Sequence, residues 1–451
     1  MKNKSLIDTY LRKYSVGEKW ELIANDTENI SQIVVIPAYA EREMLFSTLA
    51  SIAQNPSSSL EYSFILCVIN NKDNSNPEAI KNNLQTIKYL EALVKKKSLR
   101  KFNTDQEIYP LLLDLSDAKL KLGYIDASSR GNEIPHNSGG VGMARKIGMD
   151  MALRLLKKSS APRNLILSLD ADTLVQNNYL SAINNYFTPR VKTAIVAYEH
   201  QLPLDYVQQA AICCYEIFLR YWVLGLKYAK SPWAFHSIGS TIVTSTEAYL
   251  EVRGMNKREA GEDFYFLSKL AKISKIGYIK ETCVYPSARP SARVPFGTGK
   301  RIQRFLAGDQ KEEYLLYDPQ IFVILADWLQ LMKNQFICGD DEILIKTEQI
   351  HPMLKSFLID CDFAAVWSKI CRNAKDEKTL TRQFNDWFDG FKTLKLINYF
   401  TKKVYPQINM FEALNRILSM SGMFGLKLDS GTKIPNLEEQ RKILQYLRTM
   451  T

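Results

Sequence analysis

The sequence lacks an uncharged apolar run of eighteen residues. Its nearest approach, residues 210–229 (AAICCYEIFLRYWVLGLKYA), carries Glu216, Arg220 and Lys227, a composition that does not cross a bilayer. The opening stretch MKNKSLIDTYLRKYSVGEKW has no apolar segment of the signal-peptide kind, so a cytoplasmic protein is expected. Cysteines number seven, an odd count with no Cys-x-x-Cys pair. That excludes a disulfide framework and a thiolate zinc site, and leaves the adjacent Cys213 and Cys214 as core fillers. Histidine is scarce, at His136, His200, His236 and His351, each expected to be structural or exposed. Zinc-finger spacing, RNP-like aromatic motifs and a basic heptad arm are all missing, so nucleic acid is not expected as a partner. There is no internal repeat and no low-complexity tract.

The chain has 451 residues, 46% hydrophobic and 24% charged, a globular composition long enough for two or three domains. Net charge is +11, and from Lys311 onward 19 basic residues nearly balance 18 acidic ones. The positive excess therefore lies on the first 310 residues, where a phosphate-bearing partner could use it.

Residues 1–30 are polar with one weakly amphipathic stretch, the expectation being a helical lead-in. A β-branched run, Gln32-IVVI-Pro37, then reads as a buried strand ended by proline. Helical spacing follows over 41–54, with Leu45, Leu49 and Ile52 on one side. A second strand (Phe64-ILCVI-Asn70), a helix over 79–99 and a weaker strand near 122–127 continue the alternation. Residues 128–142 form a Gly-rich polar loop, Met143 to Lys158 an amphipathic helix, and Asn164-LILSLDAD-Thr173 an apolar strand running into two carboxylates. Strands alternating with helices predict an α/β fold with a mostly parallel, Rossmann-like sheet. Ligands in such sheets bind beyond the carboxyl ends of the strands, where Pro37, Asn70 and Asp170 all fall. From about Lys311 the strand signals fade, and Ile321-FVILADWLQLM and Leu437 to Met450 predict a mostly helical C-terminal domain over 311–451.

The chemistry-bearing feature is Asp170-Ala-Asp172. Two carboxylates at i and i+2 on a strand rim can share one ligand, and Mg²⁺ or Mn²⁺ takes one or two protein carboxylates together with phosphate oxygens. Taken alone, the motif is equally an Asp-rich turn whose second aspartate caps a helix. Its neighbours change that reading. The order Ile33-VVIPAYAERE, Phe64-ILCVINN, Gly142-MARK, Leu167-SLDADT and Gly261-Glu-Asp263 resembles the family 2 glycosyltransferases of GT-A fold, over roughly residues 31–310.

The resemblance implies a nucleotide-diphospho-sugar donor, a divalent metal (Mn²⁺ or Mg²⁺) held by the DxD motif, and inversion at the anomeric carbon. It implies that Pro37, Ala38 and Tyr39 line the nucleoside, with Glu41 near ribose or base. Asn70 stands where relatives usually have a base-reading aspartate, a departure that leaves the base open. Arg145 and Lys146 match the Ala-Arg-Asn stretch and would approach the diphosphate. Asp170 and Asp172 would face ribose and metal, with Asp172 the direct ligand. Asp263 would be the general base and Glu262 its second. Arg289, Arg293, Lys300, Arg301 and Arg304 lie in sixteen residues without an acid. The family has a Gln-x-x-Arg-Trp-like segment here, of which Gln303-Arg304-Phe305 is a degenerate form; Arg293, Arg301 and Arg304 would neutralise the departing diphosphate, the competing account being a plain solvated basic loop. No histidine follows the second acidic motif to complete a metal shell. Two other classes remain as alternatives. A nucleotidyltransferase needs a Gly-rich basic loop after the first strand, where PAYAERE stands instead. A non-catalytic GT-A-like binding protein at a membrane surface would not need its intact acidic pairs. The acceptor is left unnamed. Residues 210–229, with Phe218, Tyr221, Trp222 and Tyr228 among the charges, fit either peripheral membrane association or a buried interdomain helix.

Overall fold

The computed structural model describes residues 2–291, 297–308, 310–333, 339–423 and 434–451. By packing, the chain divides into two units: residues 1–201 with 237–287, and residues 202–236 with 288–451.

The first unit is built on one nine-stranded sheet. In chain order its elements are α1 (Lys2–Lys13), β1 (Leu22–Ala24), β2 (Gln32–Ala38), α2 (Arg42–Ala53), α3 (Ser57–Leu60), β3 (Ser63–Asn70), α4 (Pro77–Val94), α5 (Tyr109–Asp117), β4 (Lys121–Ala127), α6 (Val141–Leu156), β5 (Leu165–Ser168), β6 (Leu174–Val175), α7 (Tyr179–Tyr186) and β7 (Thr193–Tyr198). After α8 (Tyr206–Tyr228), which belongs to the second unit, come β8 (Ile242–Ser245), α9 (Thr246–Glu251), α10 (Glu262–Ile273) and β9 (Gly277–Tyr285). The strand order is β1-β4-β3-β2-β5-β8-β7-β9-β6. β2 lies at the centre of a parallel block, pairing with β3 (Val34 opposite Ile65) and with β5 (Val34 opposite Leu167). β8 runs antiparallel to both β5 and β7, and the edge strands β1 and β6 are antiparallel to their neighbours. This is the α/β sheet flanked by helices that the alternation predicts.

The physical cause is visible in β2 and β3. Every residue of both strands is buried, the environment in which a continuous β-branched and aliphatic run is favoured. Helix starts follow local chemistry too. Asn76 accepts the Ala79 N–H at 2.8 Å, with Pro77 at the first helical position of α4.

The second unit is mostly helical, as expected for the C-terminal part. α8 sits in its core: Ile217, Tyr221 and Leu224 are buried in one cluster with Phe322, Trp328, Trp367 and Leu414. Within α8, Arg220 and Glu216 pair at 2.8 Å, and Arg448 adds a second cation to Glu216. Of the aromatic residues of 210–229, Tyr221 is fully buried, and Tyr215, Phe218, Trp222 and Tyr228 are half-buried and packed against that cluster. Among the described residues no helix is long and apolar enough to cross a membrane.

Candidate active site

The carboxyl ends of β2, β3 and β5 lie on one edge of the sheet, because the three strands are parallel. Pro37 and Ala38 close β2 and are buried there, with Tyr39 half-buried beyond them. Ala40 follows in the left-handed region at φ 52°, and Glu41 is buried just before α2. Asn70 ends β3 and is also buried. Asn83 of α4 clips these tips together: its amide donates to the Asn70 carbonyl at 2.9 Å and to Asn71 Oδ1 at 2.8 Å, and its oxygen accepts the Ala40 N–H at 2.9 Å.

The Asp170-Ala-Asp172 turn leaves β5 and is held at each step. Thr48 of α2 donates to the Ala171 carbonyl at 2.9 Å, and Gln201 donates to the Asp172 carbonyl at 3.0 Å. The Thr173 N–H bonds back to the Asp170 carbonyl at 3.2 Å. Asp170 is a third exposed, and both its oxygens are engaged, Oδ1 by Arg145 and Oδ2 by the Ser240 hydroxyl, each at 2.5 Å.

Arg145 joins this turn to the second acidic motif. From the first turns of α6 its guanidinium lies buried, with Nε on Glu262 Oε1 at 2.9 Å and Nη1 on Ser168 Oγ at 2.6 Å. Burial disfavours its charge, but Asp170, Glu262 and Asp263 more than offset that and raise its pKa. Glu262 and Asp263 open α10 after Gly261, which takes the left-handed conformation at φ 70° that glycine adopts without strain. The Asp263 carboxyl accepts the Phe264 N–H at 2.7 Å. Burial, then the charge of Glu262, push its pKa up to about 7, against the lowering effects of Arg145 and that N–H.

The structure thus brings Asp170 and Glu262 into direct contact with Arg145, with Asp172 two residues beyond the first and Asp263 next to the second. Lys146 is elsewhere. It is buried on the other side of α6, with Nζ 2.8 Å from the Tyr10 hydroxyl and 3.2 Å from Asp150. Arg301 and Arg304 lie in the second unit, where both pair with Glu313, and Arg301 also covers the Phe218 ring at 5.1 Å. Arg293 lies outside the described residues. Ser168, Gly239 and Ser240, which complete the surroundings of Arg145 and Asp170, carry no motif of their own; the Gly-Ser turn before the β-branched run of β8 is the one local sign.

A divalent cation fits the charge of this site. Three carboxylates, those of Asp170, Glu262 and Asp263, act on the guanidinium of Arg145. The donor set is thin: among the described residues no group of three or more His, Cys, Asp or Glu could by itself cage a metal. Mg²⁺ and Mn²⁺ bind through one or two carboxylates when substrate phosphates supply the rest. Asp172 and the remaining lone pairs of Asp170 would be the protein's share.

No family model matches the sequence, and no curated protein matches it. Among solved structures the chain is similar to residues 1–349 of S. aureus TarS, with 14% identity, 93% of this chain and 90% of that one covered, and a TM-score of 0.35. The same protein in complex with UDP-GlcNAc aligns at 11% identity over 94% and 93%, TM-score 0.34. Mannosyltransferase PcManGT from Pyrobaculum calidifontis, in complex with GDP-Man and Mn²⁺, aligns at 11% over 86% and 94%, TM-score 0.34. A likeness this remote says nothing of chemistry, and the functional reading rests on the site.

Proposed function

We propose that the protein is a metal-dependent, inverting glycosyltransferase that moves a sugar from a nucleoside-diphosphate donor to an acceptor hydroxyl. The observation that carries this reading is the meeting of the Asp-Ala-Asp turn and the Glu-Asp pair on Arg145, at the edge where parallel sheets bind ligands. Two acidic motifs so far apart in sequence would not need a common buried cation if each were only a helix start or a turn.

In this reading Pro37, Ala38, Tyr39, Glu41 and Asn70 bind the nucleoside, at strand tips stiffened by Asn83. The divalent metal, when bound through Asp172 and Asp170, supplies positive charge to the donor's phosphates. Asp263 accepts the proton of the acceptor hydroxyl while that oxygen bonds to the anomeric carbon. The bond from that carbon to the diphosphate oxygen breaks on the opposite face, and the nucleoside diphosphate carries away the electron pair. A carboxyl pushed up to about 7 suits the role, because a base works best when its pKa is near the working pH.

The test is release of nucleoside diphosphate from a panel of UDP- and GDP-sugars, with Mn²⁺, with Mg²⁺ and with chelator. Metal-dependent release from at least one sugar nucleotide, lost in Asp172→Asn, is the expected result. Turnover that persists undiminished in chelator or in Asp172→Asn would remove the metal from the mechanism.

A further inference from the structure

Arg145 has few hydrogen atoms left to offer a ligand. A guanidinium carries five N–H donors in a fixed fork. Here Nε–H goes to Glu262, Nη2 to Asp170, and Nη1 to the Ser168 hydroxyl and, at 3.5 Å, to the Gly239 carbonyl. The partners come from three separate segments: the end of β5, the turn before β8 and the start of α10. The backbone is cut away to admit it, since a Cβ on Gly239 would lie 2.3 Å from Nη2. A clamp for a diphosphate would keep two parallel N–H groups free and reachable; this side chain is 4% exposed and four of its five N–H groups face protein oxygens.

We propose that Arg145 is a positioning residue whose guanidinium locks Asp170 and Glu262 to one another, so that the carboxylates on the metal side and on the acceptor side are placed by one buried fork. This rests on the sugar-transfer reading above for its kinetic consequence, but not for its structural one. Through Glu262 the fork orients the first turn of α10, and with it Asp263. Through Asp170, held on its other oxygen by Ser240, it orients the turn that carries Asp172. Lysine brings the charge without the fork, so it cannot reach both carboxylates and the Ser168 hydroxyl at once.

Two sets of measurements test this. The first needs no activity: thermal unfolding of the ligand-free protein, wild type against Arg145→Gln, Glu262→Gln and the double variant. Removing the arginine alone strands a buried carboxylate, so Arg145→Gln should melt lower, and adding Glu262→Gln should recover part of that loss. A double variant no more stable than Arg145→Gln overturns the link. The second compares kcat and donor KM for Arg145→Lys, checked for native secondary structure by circular dichroism. A displaced carboxylate of about 1 Å can cost on the order of 10²-fold in rate, so kcat should fall by that order with donor KM little changed. A raised donor KM with kcat intact makes Arg145 a phosphate contact and overturns the proposal. If the wild-type protein turns over no sugar nucleotide, the transferase reading falls, while the unfolding measurements still decide whether the arginine joins the two carboxylates.

Discussion

Asp263 is held between opposed influences, and the balance makes its role measurable. The folded protein raises it from 3.8 to about 7, chiefly by burial and then by the charge of Glu262. Folding therefore favours the protonated form. The group costs the fold nothing below about pH 4; the cost appears as pH rises toward 7 and is complete above it. Asp263→Asn, which cannot ionise, should be more stable than wild type at pH 8 by about 1–3 kcal/mol and by much less at pH 5, read from urea unfolding at the two pH values. The same variant should lower kcat by about 10²–10⁴-fold. In the wild type, kcat/KM should climb through pH 7 and level off above it; a profile flat from pH 5 to 9 would discount Asp263 as the base. Asp172→Asn tests the metal side, with loss of Mn²⁺-dependent turnover and a native circular dichroism spectrum as the expected pair of results. The aspartates could be picked out from the sequence because acidic residues at strand and helix ends form recognisable patterns. Ser168, Gly239 and Ser240 could not, since small residues take on meaning only when a distant guanidinium arrives beside them.

At the scale of elements, α6 shows how two adjacent residues acquire different roles. Successive side chains on a helix point about 100° apart, so Arg145 faces the acidic motifs while Lys146 faces α1 and α9. There Tyr10 and Tyr249 each donate to Asp150 Oδ1 at 2.8 Å, and the Val16 N–H donates to Oδ2 at 3.0 Å. Burial lowers the pKa of Lys146, while Asp150 works to keep it charged. The network fastens α1 to the helix that carries Arg145. Tyr10→Phe removes the hydroxyl between Lys146 and Asp150 and should cost about 1–3 kcal/mol of stability, the penalty for buried polar groups left short of partners. Because Tyr10 and Tyr249 share one oxygen, the Tyr10→Phe/Tyr249→Phe double variant should depart from additivity, whereas two independent hydroxyls would give simple addition in the same denaturation experiment. The helical pattern of α6 could be read from spacing; which of its two cations faced the acids depended on where α1 and α10 came to pack.

For the whole molecule, the helical unit has an apolar core of its own, with Trp328 fully buried against Phe363, Phe384 and Phe388. Trp328→Ala should destabilise that unit by about 3–5 kcal/mol, and calorimetry should show the lowered transition with donor binding in the sheet unit retained. The surplus of positive charge should make donor KM rise with salt, since screening shortens the reach of the protein's field. The chain's own order of β-branched runs, helical spacings and strand-end acids determined the alternating sheet, its central strands β2, β3 and β5, the helical C-terminal part and the edge where a ligand would sit. Those features depend on local periodicity and on the direction of parallel strands, both of which are written along the chain. Tertiary packing alone decided that residues 202–236 leave the sheet to join the later helices, and that Arg301 and Arg304 are paired with Glu313. It also decided that Arg145, rather than Lys146, stands between Asp170 and Glu262. Each of these is a choice among possible partners, from nine residues away for Arg304 and Glu313 to 117 for Arg145 and Glu262, settled by which charge finds an opposite one and which apolar face finds cover.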